Sequence, residues 1–172
     1  MLKRNGLRIL TTGEISLAKE LFSSSILYNK VWVHHGSYLP FNLQDKDTAM
    51  TPNGEIWFET NVYHDDFSQA SVRNQLLFLH EMMHVWQHQK GMLVRTRGLL
   101  SWAADYYYLL NKSKLSDYSM EQQAGIVADY WVLMRYGVAE YATKNNNKGY
   151  NSKVKVDSLI ENYQRILRGF PQ

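Results

Sequence analysis

The chain has 172 residues, 45% of them hydrophobic, which is the length and composition of one globular domain able to bury an adequate core. Its formal net charge of +3 comes from scattered Lys and Arg with no basic stripe, so a nucleic-acid partner is not expected. The absence of cysteine excludes disulfides and thiolate metal sites, so any zinc must be held by His and carboxylate.

No signal-peptide pattern opens the chain, and no run of 18 apolar residues occurs, so we expect synthesis in the cytoplasm and no membrane span. A helix is expected from about Glu14 to Ser24: Thr11 and Glu14 have the spacing of a capping box, and Ile15, Ala18, Leu21 and Phe22 recur at helical intervals. Lys30 to His35 reads as a first strand that ends at Gly36, in which at most one of the adjacent His34 and His35 can face a site. Phe41 to Thr48 is polar and irregular, and Thr51-Pro52-Asn53-Gly54 is a turn. Glu55 to Thr60 follows as a strand, either plain scaffold or an edge to which an extended peptide can add.

A long helix then runs from Ser68 or Ser71 to Lys90, with Gly91 just past its end. It carries His80-Glu81-Met82-Met83-His84, the H-E-x-x-H pattern, which sets two imidazoles one turn apart on one face where both reach a single zinc ion. Glu81, rotated about 100° from His80, is placed instead to act as general base on a water at the metal's open position. His88 lies too far along the helix to share a metal with His80 and reads as a polar helix end. Gln87 and Lys90 stand where a metzincin has Gly and His, which excludes that class.

Arg95 to Leu110 reads as a short helix and then a strand, and its three tyrosines, Tyr106, Tyr107 and Tyr108, are either packing residues or donors to an oxyanion. The third ligand is expected from the next helix, capped by Ser119 with Gln122 and running to Gly137. Glu121 in its first turn would complete a His-His-Glu set and leave the fourth position to water. Gly125 and Ala128 are expected to let this helix press against the one bearing His80. Asp129 is the second candidate, as ligand or as partner of a ligand imidazole, ahead of Asp105 and Asp117. Helical pattern continues to about Ala142, a loop follows over Asn145 to Gly149, and a terminal helix spans Val154 to Leu167.

Taken together, Thr51-Pro52-Asn53-Gly54-Glu55-Ile56, His80-Glu81-Met82-Met83-His84-Val85-Trp86-Gln87 and Tyr118-Ser119-Met120-Glu121-Gln122-Gln123-Ala124 resemble the small gluzincin-type metallopeptidase modules found with type VI secretion spike (VgrG) and Rhs proteins. The resemblance spans about half the chain, roughly Ala49 to Tyr136. It implies a single zincin-like α+β domain over residues 1–172, mostly helical with a small sheet. It also implies a zinc peptidase with His80, His84 and Glu121 on the metal and Glu81 as base. The implied role is a toxin that acts on a protein or peptide in the target cell's periplasm, delivered by a spike or adaptor carrier and countered by an immunity protein. Gly125 stands where the thermolysin-like pattern has an Asp that orients the first His, so the partner of that imidazole stays unassigned. Two other readings use the same residues. One is a non-catalytic binding module whose zinc is closed off by a fourth side chain such as His34 or Asp129; the other is a cytosolic housekeeping metallopeptidase with no link to secretion.

Overall fold

The computed structural model describes residues 2–92 and 106–171. Strand β1 (Leu7–Ile9) leads into helix α1 (Thr12–Phe22), and strands β2 (Trp32–His35), β3 (Ala49–Met50) and β4 (Ile56–Phe58) precede helix α2 (Val72–Gln89). Helices α3 (Met120–Tyr136), α4 (Val138–Lys144) and α5 (Val156–Ile166) complete the α+β arrangement of five helices and one small sheet among the described residues.

The sheet order is β1-β2-β4-β3. The two outer pairs are antiparallel, whereas β2 and β4 run parallel with Val33 opposite Ile56. The β4 strand therefore lies inside the sheet, so residues 55–60 do not form an edge; the outer strands are β1 and β3. Alternation along the strands buries Val33, Ile56 and Phe58 on one face. From there an aromatic run crosses the core, Phe58 to Phe67 at 4.2 Å and Phe67 to Phe78 at 5.3 Å between ring centroids, and ties the sheet to α2.

The start of α1 is fixed from both directions. Thr11 Oγ1 accepts from the Glu14 backbone N–H, and the Glu14 carboxylate accepts from the Thr11 N–H. That carboxylate is fully buried, and it is paired with Arg8 and also accepts from the Phe67 N–H. A buried glutamate of this kind is an internal staple between β1, α1 and the turn before α2.

Helix α2 begins where Ser71 accepts from the Asn74 N–H, and it ends at Lys90 before Gly91, whose φ of +80° suits glycine. Helix α3 opens on a capping box between Ser119 and Gln122. The two helices run antiparallel: Gln87 reaches Met120 at one end, and Tyr136 donates to Gln75 at the other. Gly125 does not face α2 as the sequence suggested; a Cβ there would sit 3.5 Å from the Tyr108 ring and 3.6 Å from the Tyr106 carbonyl. The strand expected over the tyrosines reduces to one bridge between Tyr108 and Asn147, and the helix expected before it lies outside the described residues, as does Asp105. No helix among the described residues is long and apolar enough to cross a membrane.

Candidate metal centre

The antiparallel pairing of α2 and α3 brings Glu121 against the face that carries His80 and His84. Glu121 Oε2 lies 3.2 Å from His80 Nε2 and 3.2 Å from His84 Nε2. The ligand atoms of these three residues all lie within 4.8 Å of one another, and they form the one group of three or more metal-ligating side chains among the described residues. Residues 41 positions apart in sequence thus converge on a point, as the H-E-x-x-H spacing and the first-turn glutamate predicted.

The hydrogen bonds around His84 constrain what can sit at that point. Gln87, fully buried, donates from Nε2 to the Met120 carbonyl at 3.1 Å and to Gln123 Oε1 at 3.1 Å. A carbonyl only accepts, so the amide is fixed and Gln87 Oε1 faces His84 Nδ1, 2.8 Å away. Nδ1 must then carry the proton, and a neutral His84 presents a lone pair at Nε2 toward the Glu121 carboxylate. Two acceptors at 3.2 Å require a cation between them, either a proton or a metal. With a proton alone, burial acts to lower the His84 pKa, but the Glu121 hydrogen bond and charge, with Glu81 nearby, raise it to about 9. Burial acts to raise the Glu121 pKa, yet the two imidazoles hold it well below the usual carboxylate range. An all-nitrogen-and-oxygen set with two His, one Glu and no Cys suits zinc.

The His80-His84-Glu121 cluster looks into a cleft of about 780 Å³. One wall comes from α2, the second from residues 39–52 including both residues of β3, and the third from Tyr106, Tyr107, Met120 and Asn146. Glu81 also lines the cleft, although it is only 4% exposed. Its Oε2 accepts a 2.6 Å hydrogen bond from Thr51 Oγ1, itself 5% exposed.

The other candidates lie elsewhere. His34 stacks on Trp57 at 3.8 Å and pairs with Glu55, and His35 stacks on Tyr63. His88 packs beside Gly54. Asp117 caps a short turn by accepting from the Lys114 N–H. Asp129 is outside the cluster: its Oδ2 accepts from Tyr108 Oη at 2.6 Å and from the Asn146 N–H at 2.7 Å. Its Oδ1 is buried and has no hydrogen-bond partner among the described residues, and burial pushes its pKa up to about 7 against these donors and the His80 charge. Tyr106 and Tyr107 do line the cleft, whereas Tyr108 is buried between Asp129 and Tyr163. Thr51 and Gln87, which hold Glu81 and His84, escape sequence reasoning; only the Thr-Pro-Asn-Gly turn signal marked the first.

No protein-family model matches the chain. Over 133 residues it is 44% identical to the type VI secretion system spike protein VgrG2b of Pseudomonas aeruginosa, a match that takes in 73% of this chain and 13% of that protein. Among solved structures it is similar to the effector domain of Pseudomonas aeruginosa VgrG2b, with a TM-score of 0.65 and 39% identity. That likeness covers 82% of this chain and 84% of the domain, and the chain belongs to the family of VgrG2b effector domains.

Proposed function

We propose that the chain is a zinc-dependent metallopeptidase, a single zincin-like domain over residues 1–172, working as a toxin effector of a type VI secretion system. The observation that carries the reading is the His80-His84-Glu121 cluster opening into a cleft that Glu81 also lines. Structural zinc sites are closed by four protein ligands, whereas catalytic ones use three and keep a position open. His34 and Asp129, the side chains that would close it, are engaged elsewhere, which favours the catalytic reading over a binding module.

When bound, zinc would supply Lewis acidity, polarising a scissile carbonyl and acidifying a nearby water. His80, His84 and Glu121 would hold the ion, and Gln87 would keep the His84 tautomer with Nε2 free to bind. Glu81 would take a proton from the attacking water as the water oxygen bonds to the carbonyl carbon. The same carboxylic acid would then return that proton to the leaving nitrogen as the C–N bond breaks. An extended protein or peptide substrate would lie along β3, the one of the two outer strands whose residues line the cleft. Kinship with the VgrG2b effector domain supports a spike or adaptor as carrier; a cognate immunity protein in the producing cell and action in the periplasm of the target are part of the same proposal.

The test is cleavage of a proteome-derived peptide library by zinc-loaded protein, read by mass spectrometry. We expect cleavage by the wild type, loss with a chelator, recovery with zinc, and a fall of roughly 10³-fold or more in Glu81→Gln at unchanged zinc content. Zinc-loaded wild type that leaves every peptide intact would overturn the peptidase reading.

A further inference from the structure

We infer that the Thr51–Gly54 turn is the positioning device for Glu81: it selects which carboxylate oxygen faces the reaction and couples that choice to strand β3. The inference rests on the reading of Glu81 as proton acceptor. A glutamate has three rotatable side-chain bonds, so a base that must meet one water from one direction needs an outside constraint. Helix α2 does not supply it, because the hydrogen bond on Glu81 comes from Thr51, 30 residues earlier in the chain.

The donor is itself well held. Thr51 is β-branched, with restricted χ1, and is buried directly after β3. Its Oγ1 engages Oε2 at 2.6 Å, which leaves Oε1 to take the proton. The far end of the turn rests on the same helix. Gly54 has φ +76°, and a Cβ there would come within 2.4 Å of the His88 ring. Glu81 and His88 are two turns apart on one face of α2, so the turn sits on the helix at two points. Pro52 restricts the backbone between them. Glycine is therefore required twice at position 54, for its conformation and for its contact. The strand that would receive substrate and the residue that orients the base are consecutive, so seating a peptide on β3 acts directly on the position of the Thr51 hydroxyl.

Thr51→Val keeps the shape and removes the donor. We expect kcat to fall about 10- to 100-fold, the worth of a hydrogen bond to a charged group. KM should stay within about twofold, with one zinc per chain and an unchanged melting temperature to within a few degrees. Thr51→Ser should recover kcat to within about threefold of wild type, since it restores the hydroxyl. Gly54→Ala should lower kcat in the same direction, and Thr51→Ala, which removes the same donor without adding bulk, stands in for Thr51→Val if that variant does not fold. Full kcat in Thr51→Val, failure of Thr51→Ser to rescue, or a loss of kcat that tracks a loss of zinc would overturn the inference. If zinc-loaded wild type cleaves nothing, the peptidase reading fails separately. Crystal structures then decide the positioning: one Glu81 rotamer in wild type and a different or mixed rotamer in Thr51→Val supports it, and the same rotamer in both overturns it.

Discussion

A neutral His84 whose Nδ1 proton is committed to Gln87 offers its other nitrogen as a lone pair, and this would link metal binding to an amide one turn along the helix. Replacing Gln87 with Leu removes the acceptor, frees the tautomer and leaves the Met120 carbonyl without its partner. Zinc affinity should drop about 10- to 100-fold in a chelator competition titration, and equal affinity would show that the amide does not orient the ligand. Asp129 makes a second prediction, with the opposite sense from a salt-bridged acid. Its folded pKa is raised to about 7 from 3.8, so the folded state holds its proton more tightly. Stability should therefore fall as pH rises from about 4 to 7, and that slope should vanish in Asp129→Asn. Above pH 7 the variant should be the more stable by a few kcal/mol, on the order of the linkage from such a shift. Parallel stability curves for the two proteins would remove burial as the cause. The candidate ligands were legible because their spacing follows from helix geometry: His80 and His84 are one turn apart, and Glu121 sits in a capped first turn, and the fold brings the three together. Gln87 and Thr51 were not, because each acts through a partner fixed only by the tertiary fold.

At the level of elements, caps and periodicity placed α1, α2, α3 and α5 to within a few residues. Strands fared worse. The three residues of β1 and the two of β3 carry too little alternation to read, and the pairing of β4 between β2 and β3 depends on contacts distant in sequence. That is why residues 55–60 read as either plain scaffold or an edge in the sequence, whereas in the fold β4 is internal and β1 and β3 are the outer strands. Gly125 is the other element-scale difference. Its small size serves Tyr108 and not α2, and 3.5 Å is an ordinary van der Waals distance for an added Cβ. Gly125→Ala should therefore stabilise the protein by about 0.5–1 kcal/mol through helix propensity, read as a shifted urea midpoint. Destabilisation would mean that α3 is packed closer than these distances state. Ser119→Ala should cost about 1 kcal/mol by uncapping the turn that bears Glu121.

Across the whole molecule, the cleft is assembled from three segments far apart in sequence, and the proposed ligands come from two helices held together by their packing. A metal that bridges α2 and α3 should therefore stabilise the entire fold. At a free zinc concentration one hundred times Kd, linkage contributes about 2.7 kcal/mol, or roughly 5–10 °C in melting temperature for a chain of this size. Glu81→Gln should show the same shift, because Glu81 is outside the His80-His84-Glu121 cluster proposed to hold the metal. The most direct test of the central claim is zinc content by elemental analysis of wild type, Glu121→Ala and Glu81→Gln purified side by side. The account predicts one zinc per chain in wild type and in Glu81→Gln, with loss in Glu121→Ala. Wild type that takes up no zinc after reconstitution, or Glu121→Ala that holds it as well as wild type, would contradict it.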